Sequence, residues 1–527
     1  MKNFFLFFLF SGSVVFVKAQ ADTPSRYAAL ITTGALQHHL TIIAGDEMEG
    51  RETGTDGQRK AAAYIEEQFK KIGLQPPAVL QGYQQYYPVL KDSITAAVVK
   101  INNNLLQYGS DYYSQAINNQ SRRISTKKIV FAGYGISEAG YDDYAGIDAK
   151  GKVVVVFLGE PKKNGQYLLT GNAKYSAYTY PGISKKIDIA KAKGAAAVVF
   201  INPAQAQADS ATVKRNSQPG LFYPRSGDND NPNYIVLSHQ AATANFTDWP
   251  TSQLIVAAKA GEPFSGKGLK ELDISFSFDF KKQRLKIDAS NVIGIVEGSD
   301  KKDEYVFVTA HYDHLGRHNG KIYYGADDDG SGTCAVILMA EAFAKAKAEG
   351  HGPSRTMVFM TVSGEEKGLW GSKYYSENPV FPMDKTSVDL NIDMVGRIDT
   401  ERLTADTQNY VYVIGHNMLS TELQPVSEGM NTKYTGLILD YKFDDPDDPE
   451  RIFYRSDHYN FAKNGVPILF FYDGMLKADY HKPTDTVDKI NWELYQKRVH
   501  MIFYTAWEIA NRPLMLKRDL PIPEGTR

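Results

Sequence analysis

Residues 305–332 read YVFVTAHYDHLGRHNGKIYYGADDDGSG. The apolar run Val306-Phe307-Val308 predicts a buried strand, and it ends in a cluster of His and Asp followed by a glycine-rich turn. Potential ligands therefore stand at a strand's end. His311 and Asp313 are two positions apart on an extended chain, so their side chains lean to the same side. That spacing lets the Asp313 carboxylate hold one ring nitrogen of His311 and leave the other free to bind a cation. Asp327, Asp328 and Asp329 follow, three like charges whose repulsion a cation or backbone donors must offset. Taken alone, the stretch suits an acidic solvated loop as well as a metal site.

Outward from this stretch, strands and helices alternate. Strands are expected over 292–296, 305–309, 356–362, 388–394, 410–414 and 466–472, with a helix from Thr333 to about Lys347. Such alternation predicts an α/β fold, a mostly parallel central sheet flanked by helices, with ligands bound beyond the strands' carboxyl ends. Upstream, Ala61, Ile65, Phe69 and Ile72 share one face of a helix over 58–74 that Gly73 is placed to end. The preceding loop, Gly50-Arg51-Glu52-Thr53-Gly54, reads as a surface turn with one structural arginine or, alternatively, as the border of a cleft. Between about 92 and 264 the texture changes to short strand-like runs, 129–132, 153–158 and 194–201, with a helix near 187–193 and no ligand spacing. The expected order is a signal peptide over 1–19, a first catalytic part over 20–91, a smaller β-rich insertion over 92–264, and a second catalytic part over 265–527.

Composition narrows the partners. The 527 residues carry 59 Lys and Arg against 61 Asp and Glu, a net charge of -2, which gives no electrostatic reason to expect nucleic acid. The opening MKNFFLFFLFSGSVVFVKA has a basic start, an apolar core and small residues before Ala19, so cleavage is expected there and the mature chain is expected to be secreted or periplasmic. No second apolar stretch follows, and no stable membrane insertion of the mature chain is expected. The single cysteine, Cys334, excludes an intrachain disulfide and is expected to be a small buried apolar residue.

Three further segments add chemistry to the first. Glu365 and Glu366 follow the strand expected over 356–362, and adjacent carboxylates at such a junction point differently, so one can bind metal while the other faces a water. Asp393 ends the alternating run Val388-Asp389-Leu390-Asn391-Ile392, and His481 lies in a turn beside the phenol of Tyr480. Histidines and carboxylates after successive strands suit two divalent ions that share a carboxylate. With nitrogen and oxygen donors and no thiolate, zinc is the first choice and manganese or cobalt the alternatives. Ions ~3.5 to 4 Å apart can hold a bridging water and polarise a carbonyl, which is the chemistry of amide or ester hydrolysis.

The motifs HYDHLG, GADDDGSG, SGEEKGLWGS, NIDMVGR and DYHKPTDT, in this order, resemble those of the secreted co-catalytic dizinc aminopeptidases. That group includes bacterial leucyl aminopeptidases and glutamate carboxypeptidase relatives; DEMEGRETG near the start and SDHYNFAKNGVPILFF at 456–471 extend the likeness over nearly the whole mature chain. The resemblance implies two zinc ions held by His311, Asp328, Glu366, Asp393 and His481, with Asp328 as the bridge. It also implies Glu365 as general base, Asp313 as the orienter of His311 and Tyr480 as a group that stabilises the oxyanion. The implied reaction releases N-terminal residues from peptides with a free N-terminus through a metal-bridging hydroxide. The insertion, with FAGYGISEAGYDDYAGIDAKGKVVVVFLGEP and KIDIAKAKGAAAVVFINP, is similar to a protease-associated domain.

The alternatives are a carboxypeptidase of the same family, which would use arginines for a substrate carboxylate, a single-zinc glutaminyl cyclase, and a binding protein without catalysis. Trp370, Tyr480 and Phe471 are candidates for a substrate pocket, with a core role equally open to Trp370 and Phe471. His314 and His318 are expected on the surface, and the acidic run 444–450 as a solvated loop.

Overall fold

The computed structural model describes residues 22–522 apart from 181, 225–229, 265–270, 405 and 446. The signal segment expected over 1–19 lies outside the described residues. Among these, no helix is long and apolar enough to cross a membrane. The chain divides into two compact units with boundaries at Tyr87/Pro88 and Ile287/Asp288. The second unit contains the stretch 92–264 and extends past it, because Phe276–Phe280 pairs antiparallel with Arg122–Thr126 and Leu272 bridges Ile129.

In the first unit the strands lie in the order Val292–Val296, Arg355–Val362, Lys301–His311, Thr386–Ile392, Ile468–Tyr472, Tyr410–Ile414 and Ile438–Asp440. The central pairs are parallel; Val292–Val296 and Tyr410–Ile414 pair antiparallel with their inner neighbours. Strand residues alternate between two cores. Val306, Val308 and Ala310 face one with Met357, Phe359, Leu390 and Ile392, while Phe307 faces the other with Val358, Met360 and Val362. Both faces are covered, so these strands read as continuous apolar runs, and each of their Val, Leu, Ile, Phe and Met side chains contributes about 1.5–3 kcal/mol by leaving water.

The helix Gly332–Ala348 lies against this sheet and is buried over almost its whole circumference, Cys334 included. Asp56–Lys71 buries Ala61, Ile65 and Phe69 as their helical spacing predicts, and Gly73 follows it in the left-handed conformation, φ 81°. Trp492–Asn511 carries the fully buried Arg498, whose guanidinium donates to the carbonyls of Tyr410, Val395 and Arg397 and fixes the chain just past Asp393.

The second unit has its own five-stranded sheet, Tyr112–Tyr113, Asn233–Ser238, Ala197–Asn202, Val153–Phe157 and Ile129–Phe131 in spatial order. All its pairs are parallel except the first. Helices Ser184–Ala192 and Thr251–Ala260 contribute Ile187 and Ala190 to one of its cores and Leu254, Ile255 and Ala258 to the other.

Candidate metal centre

Register brings the ligand-bearing residues to one edge. His311 pairs with Val362 across one parallel ladder and Thr309 pairs with Asn391 across the next, so three strands end level. His311 is the last residue of its strand, Glu365 and Glu366 come shortly after Val362, and Asp393 immediately follows Ile392. Sequence positions far apart thus share one carboxyl-end crevice, as open parallel sheets provide.

The three consecutive aspartates do different work. Asp329 accepts the backbone N–H groups of His311, Gly332 and Met394, which ties two strand ends to the start of a helix. Asp327 accepts from Gly396 N and the Ser331 hydroxyl. Asp485 accepts the backbone N–H groups of Asp327 and Asp328. Backbone donors therefore engage the outer two acids, and Asp328, reached through a cis peptide to Asp329, faces the imidazoles.

Around Asp328 the donor atoms fall into two groups. His311 Nε2 lies 3.2 Å from Asp328 Oδ1 and 3.6 Å from Asp393 Oδ1. On the other side His481 Nε2 lies 3.2 Å from Asp328 Oδ2 and 3.0 Å from Glu366 Oε2. Asp393 is oriented by the Ser456 hydroxyl at 2.7 Å, which in turn accepts from Asn391 Nδ2. His311 Nδ1 lies 3.0 Å from the backbone carbonyl of Asp313 and 3.7 Å from its carboxylate. That carboxylate instead accepts from the Thr53 hydroxyl at 2.6 Å and from Glu365 N at 3.2 Å, so Asp313 holds the loop of Glu365 as well as the ring of His311.

The donors fit a divalent cation. His311 Nε2, His314 Nδ1, Asp328 Oδ2 and Glu366 Oε1 are all buried without a hydrogen-bond partner among the described residues. Buried polar atoms are rarely left so, and four of them converging in one place are what nitrogen and oxygen ligands of zinc look like without the ion. Two clusters qualify by proximity, His311 with Asp328 and Asp393, and His314 with Asp328 and Glu366. Electrostatics agree. Burial opposes a charge on His481, yet contacts with Asp328 and Glu366 push its pKa up to about 10. Burial likewise opposes a charge on His311, but Asp393, Asp313 and Asp328 hold its pKa well above the ordinary value. The acids draw positive charge onto whatever stands between them.

Glu365 differs from its neighbour. Its Oε2 stands 4.0 Å from His311 Nε2, and burial together with the charge of Glu366 raises its carboxyl pKa well above the ordinary range. It borders a cleft also lined by Asp328, Asp393, Ile452, Arg455, Phe470, Tyr472, Leu476 and Tyr480. Tyr480 stacks on His481 with ring centroids 3.8 Å apart, and its hydroxyl accepts from Arg455 Nη2 at 3.3 Å.

Several expectations change. His314, expected on the surface, is fully buried with Nδ1 2.7 Å from Glu366 Oε1, whereas His318 is exposed. Arg51 is not in a surface loop: it is fully buried and donates to the carbonyls of Ile43, Tyr312, Tyr324 and Gly325. Phe471 is a core residue, and its neighbour Phe470 lines the cleft. Trp370 is half-buried and does not line it. Asp444 and Asp448 of the acidic run are buried, Asp444 beside His416 Nδ1 at 2.6 Å and Asp448 accepting from Ile452 N.

Among curated proteins, the chain is 29% identical over 216 residues to a "Probable leucine aminopeptidase" of Arthroderma otae, covering 40% of this chain and 55% of that protein. It is 25% identical over 287 residues to "Aminopeptidase YwaD" of Bacillus subtilis, covering 51% of this chain and 57% of that protein. The chain thus spans little more than half the length of these relatives. Among solved structures, an aminopeptidase from Aneurinibacillus sp. strain AM-1 aligns over 95% of this chain and 100% of its own, at 18% identity and a TM-score of 0.50, a likeness of fold. The profile described as "Peptidase family M28" matches residues 291–506, the segment that carries every candidate ligand. The matched segment, less than half of the 527 residues, is what resembles peptidase family M28.

Proposed function

We propose that the protein is an exported dizinc aminopeptidase that releases single residues from peptides with a free N-terminus. The observation that carries this reading is the pair of donor groups sharing Asp328, with His311 and Asp393 on one side and Glu366 and His481 on the other. Two zinc ions bound there supply an acidified water and a polarised scissile carbonyl. Glu365, whose carboxyl is raised by burial, takes the proton from the attacking water and returns it to the departing amine. The Tyr480 hydroxyl, at the edge of the same cleft, donates to the carbonyl oxygen as negative charge develops on it. Asp313 positions Glu365 by accepting its backbone N–H. The acids around the cleft favour a substrate's cationic α-amine. The segment 1–19 directs export with cleavage after Ala19, and the second unit is read as a protease-associated insertion.

Carboxypeptidase action is the second reading, and Arg455 in the cleft wall favours it as a cation for a substrate carboxylate. Product identification by mass spectrometry on matched free and N-acetylated peptides separates the two. The aminopeptidase reading expects N-terminal release that acetylation abolishes; C-terminal release from acetylated peptides would replace it. Glu365→Gln is expected to lower kcat by about 10²–10⁴ with zinc content unchanged, and undiminished turnover would remove Glu365 from the base role.

A further inference from the structure

We propose that His314 is a third imidazole ligand, bound to the same ion as Glu366 and His481. The inference rests on the dizinc reading and extends it to a residue outside the ligand set that the motifs imply. His314 is fully buried, and neither of its ring nitrogens has a hydrogen-bond partner among the described residues. Leaving a buried imidazole unpaired is costly, and a bound cation would offset that cost.

The surroundings aim one nitrogen at the ion position. His314 Nδ1 lies 2.7 Å from Glu366 Oε1 and 3.8 Å from Asp328 Oδ2, and despite the short distance the first contact does not have hydrogen-bond geometry. His481 Nε2 faces the same two carboxylates at 3.0 and 3.2 Å. Zinc bonds of ~2.0–2.2 Å in a tetrahedron set ligand atoms about 3.3–3.6 Å apart, so the separations of 2.7, 3.0 and 3.2 Å would each open by a few tenths of an ångström around a bound ion. The two rings stand edge to face, centroids 5.9 Å apart, so both can approach one centre from different directions.

The ring's place is built in. Its backbone N–H points to the Arg51 carbonyl at 3.4 Å, and Arg51 is itself held by four carbonyls of the surrounding loops. The ring packs on Gly325, φ 55°, where an added Cβ would come within 2.5 Å of His314 Cγ. Only glycine leaves that space. With His314 the ion beside Glu366 has four protein donors and the ion beside Asp393 has three, counting Asp328 for both. The first is therefore the more firmly held of the two.

X-ray absorption at the zinc edge of the zinc-loaded full chain counts imidazoles without any assay of activity. Three imidazoles shared by two zinc ions are expected in the wild type and two in His314→Ala. In competition with a chelator, His314→Ala should lose one of its two ions at least tenfold more readily, while the exposed control His318→Ala matches the wild type. Two ions with only two imidazoles in the wild type would overturn the inference and leave the dizinc reading standing; that count needs no variant to fold. An unchanged imidazole count in folded His314→Ala would overturn it as well, and would assign His314 the lesser part of orienting Glu366. Fewer than two ions per wild-type chain would remove the dizinc reading itself.

Discussion

Both units of this chain contain parallel strands buried on both faces, yet among the described residues only the first ends those strands in converging, unpaired ligand atoms. In the first unit His311, Asp328, Glu366 and Asp393 meet at the carboxyl edge, with imidazole and carboxylate atoms that satisfy one another incompletely. The second unit also buries charge, but with partners at hand. Lys186 donates to the carbonyls of Phe157 and Gly159, and Asp92 receives Lys282 and both nitrogens of an Arg284 fork at 2.8 Å. Buried charge alone therefore does not mark a site. What marks it is the convergence of several unpaired donors and acceptors at the end of a sheet.

The contrast can be broken most directly at Asp328. Asp328→Ala removes the carboxylate common to both donor groups, and elemental analysis is expected to find both zinc ions lost, with peptidase activity at the detection floor. Retention of both ions would mean that the two groups are independent. A charge removed from the second unit should do the opposite. Asp92→Ala takes the counter-charge from the nearly buried ammonium of Lys282 and leaves it the carbonyls of Ala116 and Ile117, and unfolding by denaturant is expected to show a loss of about 3 kcal/mol, the lower part of the range for a broken buried pair because those acceptors remain and Arg284 is half exposed. Zinc content should not change, and a loss of zinc in Asp92→Ala would erase the distinction between the units.

A pH series sharpens the comparison further. Burial lowers the pKa of Lys186 to about 7 from 10.5. Between those values the unfolded chain binds more protons than the folded one, so this group makes stability rise with pH from about 7 upward, by at most ~1.4 kcal/mol per pH unit. Asp143 acts oppositely: burial raises its pKa to about 6 from 3.8, so its contribution falls as pH rises through that window. Unfolding of the wild type compared with Lys186→Met between pH 7 and 10 should show the rising slope in the wild type alone. Equal slopes would place the Lys186 ammonium in water.

Much of this architecture was legible in the chain. Strands such as 305–309 and 356–362 announce themselves as unbroken apolar runs because the sheet is covered on both sides. The same burial hides which face a strand residue takes, and so Phe471 could not be told from Phe470 as the cleft residue. His311, Glu365, Glu366, Asp393 and His481 stood out as candidates because each sits just beyond an element that periodicity or turn chemistry defines, whereas Asp328 was singled out of its triplet by the resemblance alone. His314 was not. A polar residue past a strand's end is exposed or buried according to what covers it, and its cover comes from Gly325 and the Arg51 loop, both remote in sequence. The usable signal was a second histidine three residues after the first, followed by a glycine just before the aspartate triplet. Arg51 eluded local reading for a similar reason, since its acceptors lie at 43, 312, 324 and 325. Asp444 did too, because its partner His416 lies well upstream.

In the proposed function Asp328 is the shared carboxylate of a two-ion site. Zinc titration of the metal-free full chain, followed by calorimetry with elemental analysis of the product, tests it most directly. Two tightly bound ions per wild-type chain and none in Asp328→Ala are expected. Saturation at a single ion, or two ions retained without Asp328, would contradict it.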